Sequence, residues 1–434
     1  MRRNAVNTSQ VHSQEPTARK TGTPGGAIRA LLVLSALSVL GAGPTAAQDP
    51  HAGQTWAGPA TCLQCHEDEA NEVHGSVMYQ WEGQAPEVVN GPMVQGKVSG
   101  GVNSYCISIL GNWNVCGNCH VGLGAAPEPT ASPAQLENID CMICHQEEYR
   151  RTKQNGVFVP DLSAMTITMD EAVQTVHLPT RYNCLQCHAK AGGGDAVKRG
   201  DLAMAQVATI DQDYDVHMAT TGGDLECQAC HITTNHRVAG RGSDIRPTDS
   251  AEIIDCSNCH TNMAAQHPNS TIRRHLDRVA CQVCHIAHYA KDASDTTATE
   301  ATEMHRTWLS THSTSPPYHP AADKRNDEVP VYRFWNGDSR NYLLHETAVI
   351  DPNTGRYPTS RPVGHVSNPE AKLYAFKYKT AEQPITNDTS QLIALATDVF
   401  FATADAAAAT EQGLQNMGLS ASTPYSWIET DTLQ

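Results

Sequence analysis

Fourteen of the fifteen cysteines fall into one recurring pentapeptide, Cys-x-x-Cys-His. Its copies are Cys62-x-x-Cys65-His66, Cys116-x-x-Cys119-His120, Cys141-x-x-Cys144-His145, Cys184-x-x-Cys187-His188, Cys227-x-x-Cys230-His231, Cys256-x-x-Cys259-His260 and Cys281-x-x-Cys284-His285. Two thiols at this spacing form thioethers to the two vinyl groups of one porphyrin, and the imidazole that follows binds its iron as proximal ligand. A structural zinc site uses Cys-x-x-Cys pairs two at a time and needs no histidine after each. A secreted disulfide framework spreads its cysteines irregularly through a smaller domain. Neither explains seven copies of one pentapeptide. The pattern predicts seven covalently attached c-type haems, each held by a single helical turn.

An iron in a porphyrin takes a sixth ligand unless one face stays open. Between residues 62 and 295 seven histidines lie outside the motifs: His74, His177, His217, His236, His267, His275 and His288. Their number equals that of the motifs, and bis-histidine ligation suits low-potential, low-spin iron that transfers electrons. Any one of them could equally be a hydrogen-bonded surface histidine. His305, His312, His319, His345 and His365, further along, are alternative ligands.

The N-terminus agrees with covalent haem attachment outside the cytoplasm. Arg2, Arg3, Arg19, Lys20 and Arg29 precede an apolar run from Ala30 to Leu40, followed by Thr45-Ala46-Ala47-Gln48, a small-residue cleavage site. The run is too short to span a bilayer. Residues 1–47 are therefore read as an export signal, and a periplasmic or extracellular protein without a transmembrane segment is expected, an uncleaved anchor being the alternative. The net charge of −16 argues against nucleic acid as a partner. Redox donor proteins or a quinol-linked cytochrome are the expected partners, and an anionic substrate would need a locally positive site.

Aromatic residues make up only 6 % of the chain and phenylalanine only five residues, too few for a conventional apolar core. Seven porphyrins would serve as core instead. The spacing predicts a multihaem domain over 48–295, mostly irregular and α, with short helices and loops wrapped around a haem stack. Residues 296–434 are expected to form a C-terminal wrap with few small strands, within Val329–Leu344 and Lys372–Tyr378, and a helix over 389–417, where residues 405–409 are alanine-rich.

Two residues stand apart from this scheme. Cys106 is the one cysteine outside a motif and has no thiol left to pair with in the chain; a buried small apolar residue is the plain reading. Lys198 lies in a glycine-rich loop after the fourth motif, where a lysine is ordinarily solvated.

The segments that carry these two residues resemble the octahaem tetrathionate reductase family. The run Asn103-x-x-Cys106-Ile107 leading to Cys116-x-x-Cys119-His120-x-Gly122-x-Gly124 is similar to the surroundings of that family's catalytic haem. Gly193-Gly194-Asp195-x-x-Lys198-x-Gly200-Asp201 resembles the segment that gives this haem a lysine ligand, and Asp215-x-His217-Met218, Arg274-His275 and Val329-Pro330-Val331-Tyr332-Arg333 match as well. The resemblance covers most of 60–380. It implies that the second haem is the catalytic one, with Lys198 as its lysine ligand and Asn103 and Cys106 on its substrate side. A lysine binds iron only as the neutral amine, so burial and the metal must depress its pKa.

Two departures follow. The family carries an eighth motif near its C-terminus, absent here, so the chain is either truncated or a seven-haem variant. After Gly124 comes Ala125-Ala126-Pro127-Glu128-Pro129 in place of aromatic and acidic residues. The absence of a Cys-x-x-Cys-Lys run argues against a pentahaem nitrite reductase. The resemblance implies reduction of a small oxidised sulfur or nitrogen anion: tetrathionate, nitrite or hydroxylamine. A non-catalytic electron conduit is the alternative, and hydroxylamine oxidation a more distant one.

Overall fold

Beyond the seventh motif the chain stops making isolated helical turns and builds a sheet. The computed structural model describes residues 49–102, 108–188, 212, 215–240, 249–290 and 301–434. Strands β1 (Thr302–Thr311), β2 (Pro320–Arg325), β3 (Ser339–Asn341), β4 (Tyr357–Pro362), β5 (Tyr378–Thr386) and β6 (Tyr425–Leu433) form one mixed sheet in the order β3-β4-β6-β5-β1-β2. β4 runs parallel to β6 and β1 parallel to β5; the other pairs are antiparallel. Helix and strand contribute almost equally, 25 % and 24 %. The expectation of a mostly irregular and α chain with few small strands is thus corrected in its second half.

The physical reason lies on the buried face of the central strands, which is polar. Arg306 and Glu303 on β1 form a bidentate ion pair with N···O distances of 2.7 and 2.8 Å, both nearly fully buried. Asp431 on β6 accepts from Tyr378 at 2.9 Å and from Arg361. Lys379 on β5 donates to Gln434, and Lys377 just ahead of it to Thr302. Buried charges persist only when paired in this way. A strand whose inward positions are Lys, Gln, Thr and Asp shows no apolar alternation to read.

The predicted 389–417 helix is two helices, Thr397–Thr403 and Ala406–Asn416. Ala404 turns into the left-handed region (φ 58°) and Asp405 caps the second helix, accepting from the amides of Ala407 and Ala408 at 2.9 Å.

The apolar core is divided. One cluster gathers Tyr342, Leu344, Ile385, Leu392, Ile393 and Leu414; a second, Trp308, Leu395 and Phe400. Two smaller ones sit among the motifs, around Met142, Ile143 and Tyr149, and around Tyr79, Leu136 and Ile139. Hydrogen bonds cross the boundary placed at residue 295 in both directions, and Pro50–Gln434 form one unit. Asn90 and Asn341 exchange bonds of 2.6 and 3.0 Å. The amide of Leu344 reaches the carbonyl of Gly100 at 2.8 Å, and those of Ala280 and Leu373 reach the carbonyls of Leu373 and Arg278 at 2.9 and 2.8 Å.

The tightest of these ties is Asn112, fully buried one residue ahead of the helical turn Trp113–Cys116. Its amide donates to the carbonyls of Ser108 and Leu395 (2.9 and 2.8 Å), and its oxygen accepts from the amide and hydroxyl of Thr397 (2.8 and 2.7 Å). Asn112→Ala leaves these buried partners unsatisfied. It is expected to lower stability by about 1–3 kcal/mol, read from the denaturant midpoint of the holo-protein.

Candidate haem centres

Each motif occupies one turn of α or 3-10 helix. In the first, third, fifth and sixth, the amide of the histidine closes onto the carbonyl of the first cysteine at 2.9, 3.1, 2.8 and 2.9 Å. A turn of this kind puts the cysteines at i and i+3 and the histidine at i+4 on one side, the arrangement two thioethers and a proximal bond require. None of the fourteen motif cysteines is in a disulfide.

Thiols from different motifs lie side by side. Cys62 shares a hydrogen bond with Cys141, Cys119 with Cys187, Cys184 with Cys227, and Cys256 with Cys281. Cys230 stands close enough to Cys259, and Cys144 to Cys184 and Cys187, for their charges to interact. Cysteine contacts thus bring together motifs one and three, two and four, four and five, and six and seven. An apolar pocket of about 270 Å³ opens beside Cys62 and Cys141, lined by Trp56, Ile139, Tyr149 and Phe158. Burial pushes the Cys116 and Cys144 thiols up to about 11.

Four motif histidines face a second histidine. Ring centres are 6.1 Å apart for His66 and His51, 6.4 Å for His145 and His236, 6.2 Å for His260 and His217, and 6.1 Å for His285 and His267. A metal–imidazole bond of about 2 Å on each side, plus the depth of each ring, separates two axial ring centres by about 6 Å. His217, His236 and His267 were legible as candidates. His51 was not, because it lies ahead of the first motif.

His177 is placed otherwise than expected. Its Nδ1 donates to the carbonyl of Leu178 at 2.7 Å and its Nε2 accepts from the amide of Glu147 at 3.2 Å, which leaves neither nitrogen for iron. Its role is to orient His145, whose Nδ1 donates to the His177 carbonyl at 2.9 Å. His74 is buried with its Nε2 against the Gln80 amide at 3.3 Å, and His288 stands 3.0 Å from Asp327. Neither these two nor His275 faces a motif histidine in the four pairs above.

The second motif differs from the rest. His120 is fully buried, with the rings of Tyr79, Trp113 and Trp81 at 4.8, 5.2 and 5.4 Å. One ring nitrogen donates to the Tyr79 carbonyl at 2.6 Å; the other, Nδ1, is buried without a hydrogen-bond partner. Burial lowers its pKa to about 4, so the imidazole is neutral at neutral pH and has a lone pair to give. Gly122 is required here, since a Cβ would come within 2.6 Å of His120 Nδ1. Gly240 leaves similar room beside His231, where a Cβ would stand 3.0 Å from Nδ1. The thiol pairs, the neutral imidazole and these vacated positions fit haem c.

Arg151, on the strand Arg151–Gln154, holds motifs two and three together. It donates to the carbonyls of Asn118, His120 and Gly122 at 2.9, 3.0 and 3.1 Å and pairs with Asp140 at 2.8 Å, immediately ahead of Cys141. The hairpin that presents it turns at Asn155-Gly156, both with positive φ, a two-residue turn the sequence announces. Lys97, 4.4 Å above the Trp81 ring, adds a second cation, and its charge is felt at both Cys116 and His120. Neither Arg151 nor Lys97 lies in a motif, so nothing in the sequence marks them. Asn103, Cys106 and Lys198 lie outside the described residues, as do 1–48.

Comparison with known proteins agrees with this chemistry. The family described as "Cytochrome c bacterial" matches residues 321–434, the part of the chain that carries no motif. An uncharacterised protein of Archaeoglobus fulgidus is 28 % identical over 249 residues, covering 46 % of this chain and 81 % of that protein. The crystal structure of octaheme cytochrome c from Shewanella oneidensis superposes with a TM-score of 0.68 at 25 % identity, over 86 % of this chain and 85 % of that one. The chain is a multihaem c-type cytochrome. Covalently bound haem c and electron transfer follow for a cytochrome of this kind. Among the described residues no helix is long and apolar enough to cross a membrane.

Two outcomes are expected for this cytochrome. Arg151→Met strands the buried Asp140 carboxylate and frees three carbonyls. Thermal or denaturant unfolding is expected to show a loss of about 3–5 kcal/mol. The angle between axial imidazole planes shapes the paramagnetic spectrum of low-spin iron. The 20° pair His51–His66 is expected to give a rhombic signal, and the pairs at 65°, 72° and 76° highly anisotropic ones. His51→Ala should remove one rhombic component and create one high-spin haem in the oxidised protein, while His74→Ala leaves the spectrum unchanged; a His51→Ala spectrum with no new high-spin haem rules this pairing out.

Proposed function

We propose that this cytochrome is an exported reductase that passes electrons along seven haems to the second one, where Lys198 is the exchangeable iron ligand and tetrathionate, or nitrite or hydroxylamine, is reduced. For tetrathionate the reaction takes two electrons, breaks the central S–S bond and releases two thiosulfate ions. The haem iron supplies this redox chemistry when bound. Cys106 and Asn103 line the substrate side in this reading, the thiol able to engage the sulfur chain. Export is read from residues 1–47.

The observation that carries the proposal is the electrostatic contrast at motif two. The chain bears a net charge of −16, yet the charges that act on the buried His120 are those of Arg151 and Lys97. Arg151 is balanced by Asp140, which leaves Lys97 as the cation of an apolar, aromatic-walled site, where it favours an anion and the negative charge that departs with thiosulfate. Motif two meets motif four through Cys119 and Cys187, a route by which electrons could reach it. The four histidine pairs favour the second reading, a pure conduit, only for the motifs they serve, since two histidine ligands leave an iron no open face.

Protein-film voltammetry of the holo-protein with each of the three substrates in turn tests the proposal. A catalytic reductive current with one of them, altered in Lys198→His, is expected. Reversible signals that no substrate changes would leave an electron conduit.

A further inference from the structure

The hairpin of Thr233–Thr234 and Arg237–Val238 turns on Asn235 and His236, both in the left-handed region (φ 51° and 57°). A two-residue turn of this kind matches the twist of its strands and sets His236 at the tip. Two carboxylates hold it there. Asp249 pairs with Arg237 at 3.1 Å and accepts from the amide of Val77 at 2.9 Å, while Glu72 Oε2 accepts from His236 Nδ1 at 2.8 Å. The His236 ring lies with its centre 6.4 Å from that of His145 of motif three. Glu72 itself belongs to the helix Glu67–His74 that follows the first motif directly.

His288, 3.0 Å from Asp327, belongs to none of the facing pairs, and the other Nδ1 contacts are of a different kind. His145, His231 and His267 give Nδ1–H to backbone carbonyls, of His177, Ala239 and Met263, at 2.9, 3.0 and 2.7 Å. Glu69 stands 3.5 Å from His66 and Asp215 3.9 Å from His217, beyond a hydrogen bond. A carboxylate draws on the imidazole proton more strongly than a neutral carbonyl and brings a full negative charge, making the ring a better donor to oxidised iron.

We propose that Glu72 is a positioning residue that lowers the reduction potential of the third haem through its hydrogen bond to His236. The inference rests on His236 as the sixth ligand of that haem. It places the group that sets the third haem's potential on the helix of the first, so the two adjacent centres, joined at Cys62 and Cys141, share a structural control.

Glu72→Gln keeps the side-chain length and an acceptor oxygen but removes the charge. Potentiometric titration followed by paramagnetic resonance is expected to show every haem still low-spin, with the reduced-to-oxidised ratio of one haem raised about tenfold at a given potential, about 59 mV for one electron. Unchanged potentials at every haem would overturn the proposal. So would a new high-spin haem in this variant, which would mean that Glu72 only holds the ring in place. His236→Ala separates the underlying reading: one haem is expected to lose its low-spin signal, and a spectrum with all of them intact would show that His236 is no ligand, ending the proposal at its first step.

Discussion

A helical turn of four or five residues cannot hold its own position, and this molecule is organised around that constraint. Each Cys-x-x-Cys-His unit is one turn, too short to be stable alone and too small to bury an apolar face. What fixes one turn against the next is a set of buried polar contacts made by residues outside the motifs. Arg151 is the strongest case. One guanidinium satisfies the carbonyls around motif two and neutralises Asp140 at the start of motif three, so two attachment sites are set by a single side chain.

The same logic extends to the C-terminal sheet. Its strands are joined by Asp431–Arg361 and the buried Lys377 and Lys379, while Glu303 and Arg306 pair within one strand, and the C-terminal region reaches back toward the motifs through Asn112 and Asn90. With phenylalanine so scarce, directional bonds specify what an apolar core would otherwise specify. The apolar clusters are separate and local. The family match over 321–434 falls on this supporting sheet and not on the motifs.

Charge is distributed to the same end. In a strongly anionic chain the cations near motif two are neither loose nor numerous: Arg151 is held by four acceptors, and Lys97 lies over an aromatic ring. Around the third motif the device is reversed, and a carboxylate, Glu72, is brought against a histidine. Neighbouring haems of identical attachment chemistry are thereby given different surroundings.

By itself the sequence determined the attachment chemistry, because thioether formation depends on residues five positions apart or fewer, and local spacing is sufficient to read it. It also contained His217, His236 and His267 as candidate ligands. Only the tertiary structure decided which histidine faces which motif. That choice brought in His51 and removed His177, since facing rings are set by hairpins and loops far apart along the chain. The sheet was hidden for another reason: its inward positions are paired charges and hydroxyls, and an ion pair such as Arg361 with Asp431 acquires meaning only when folding brings its two halves out of water together.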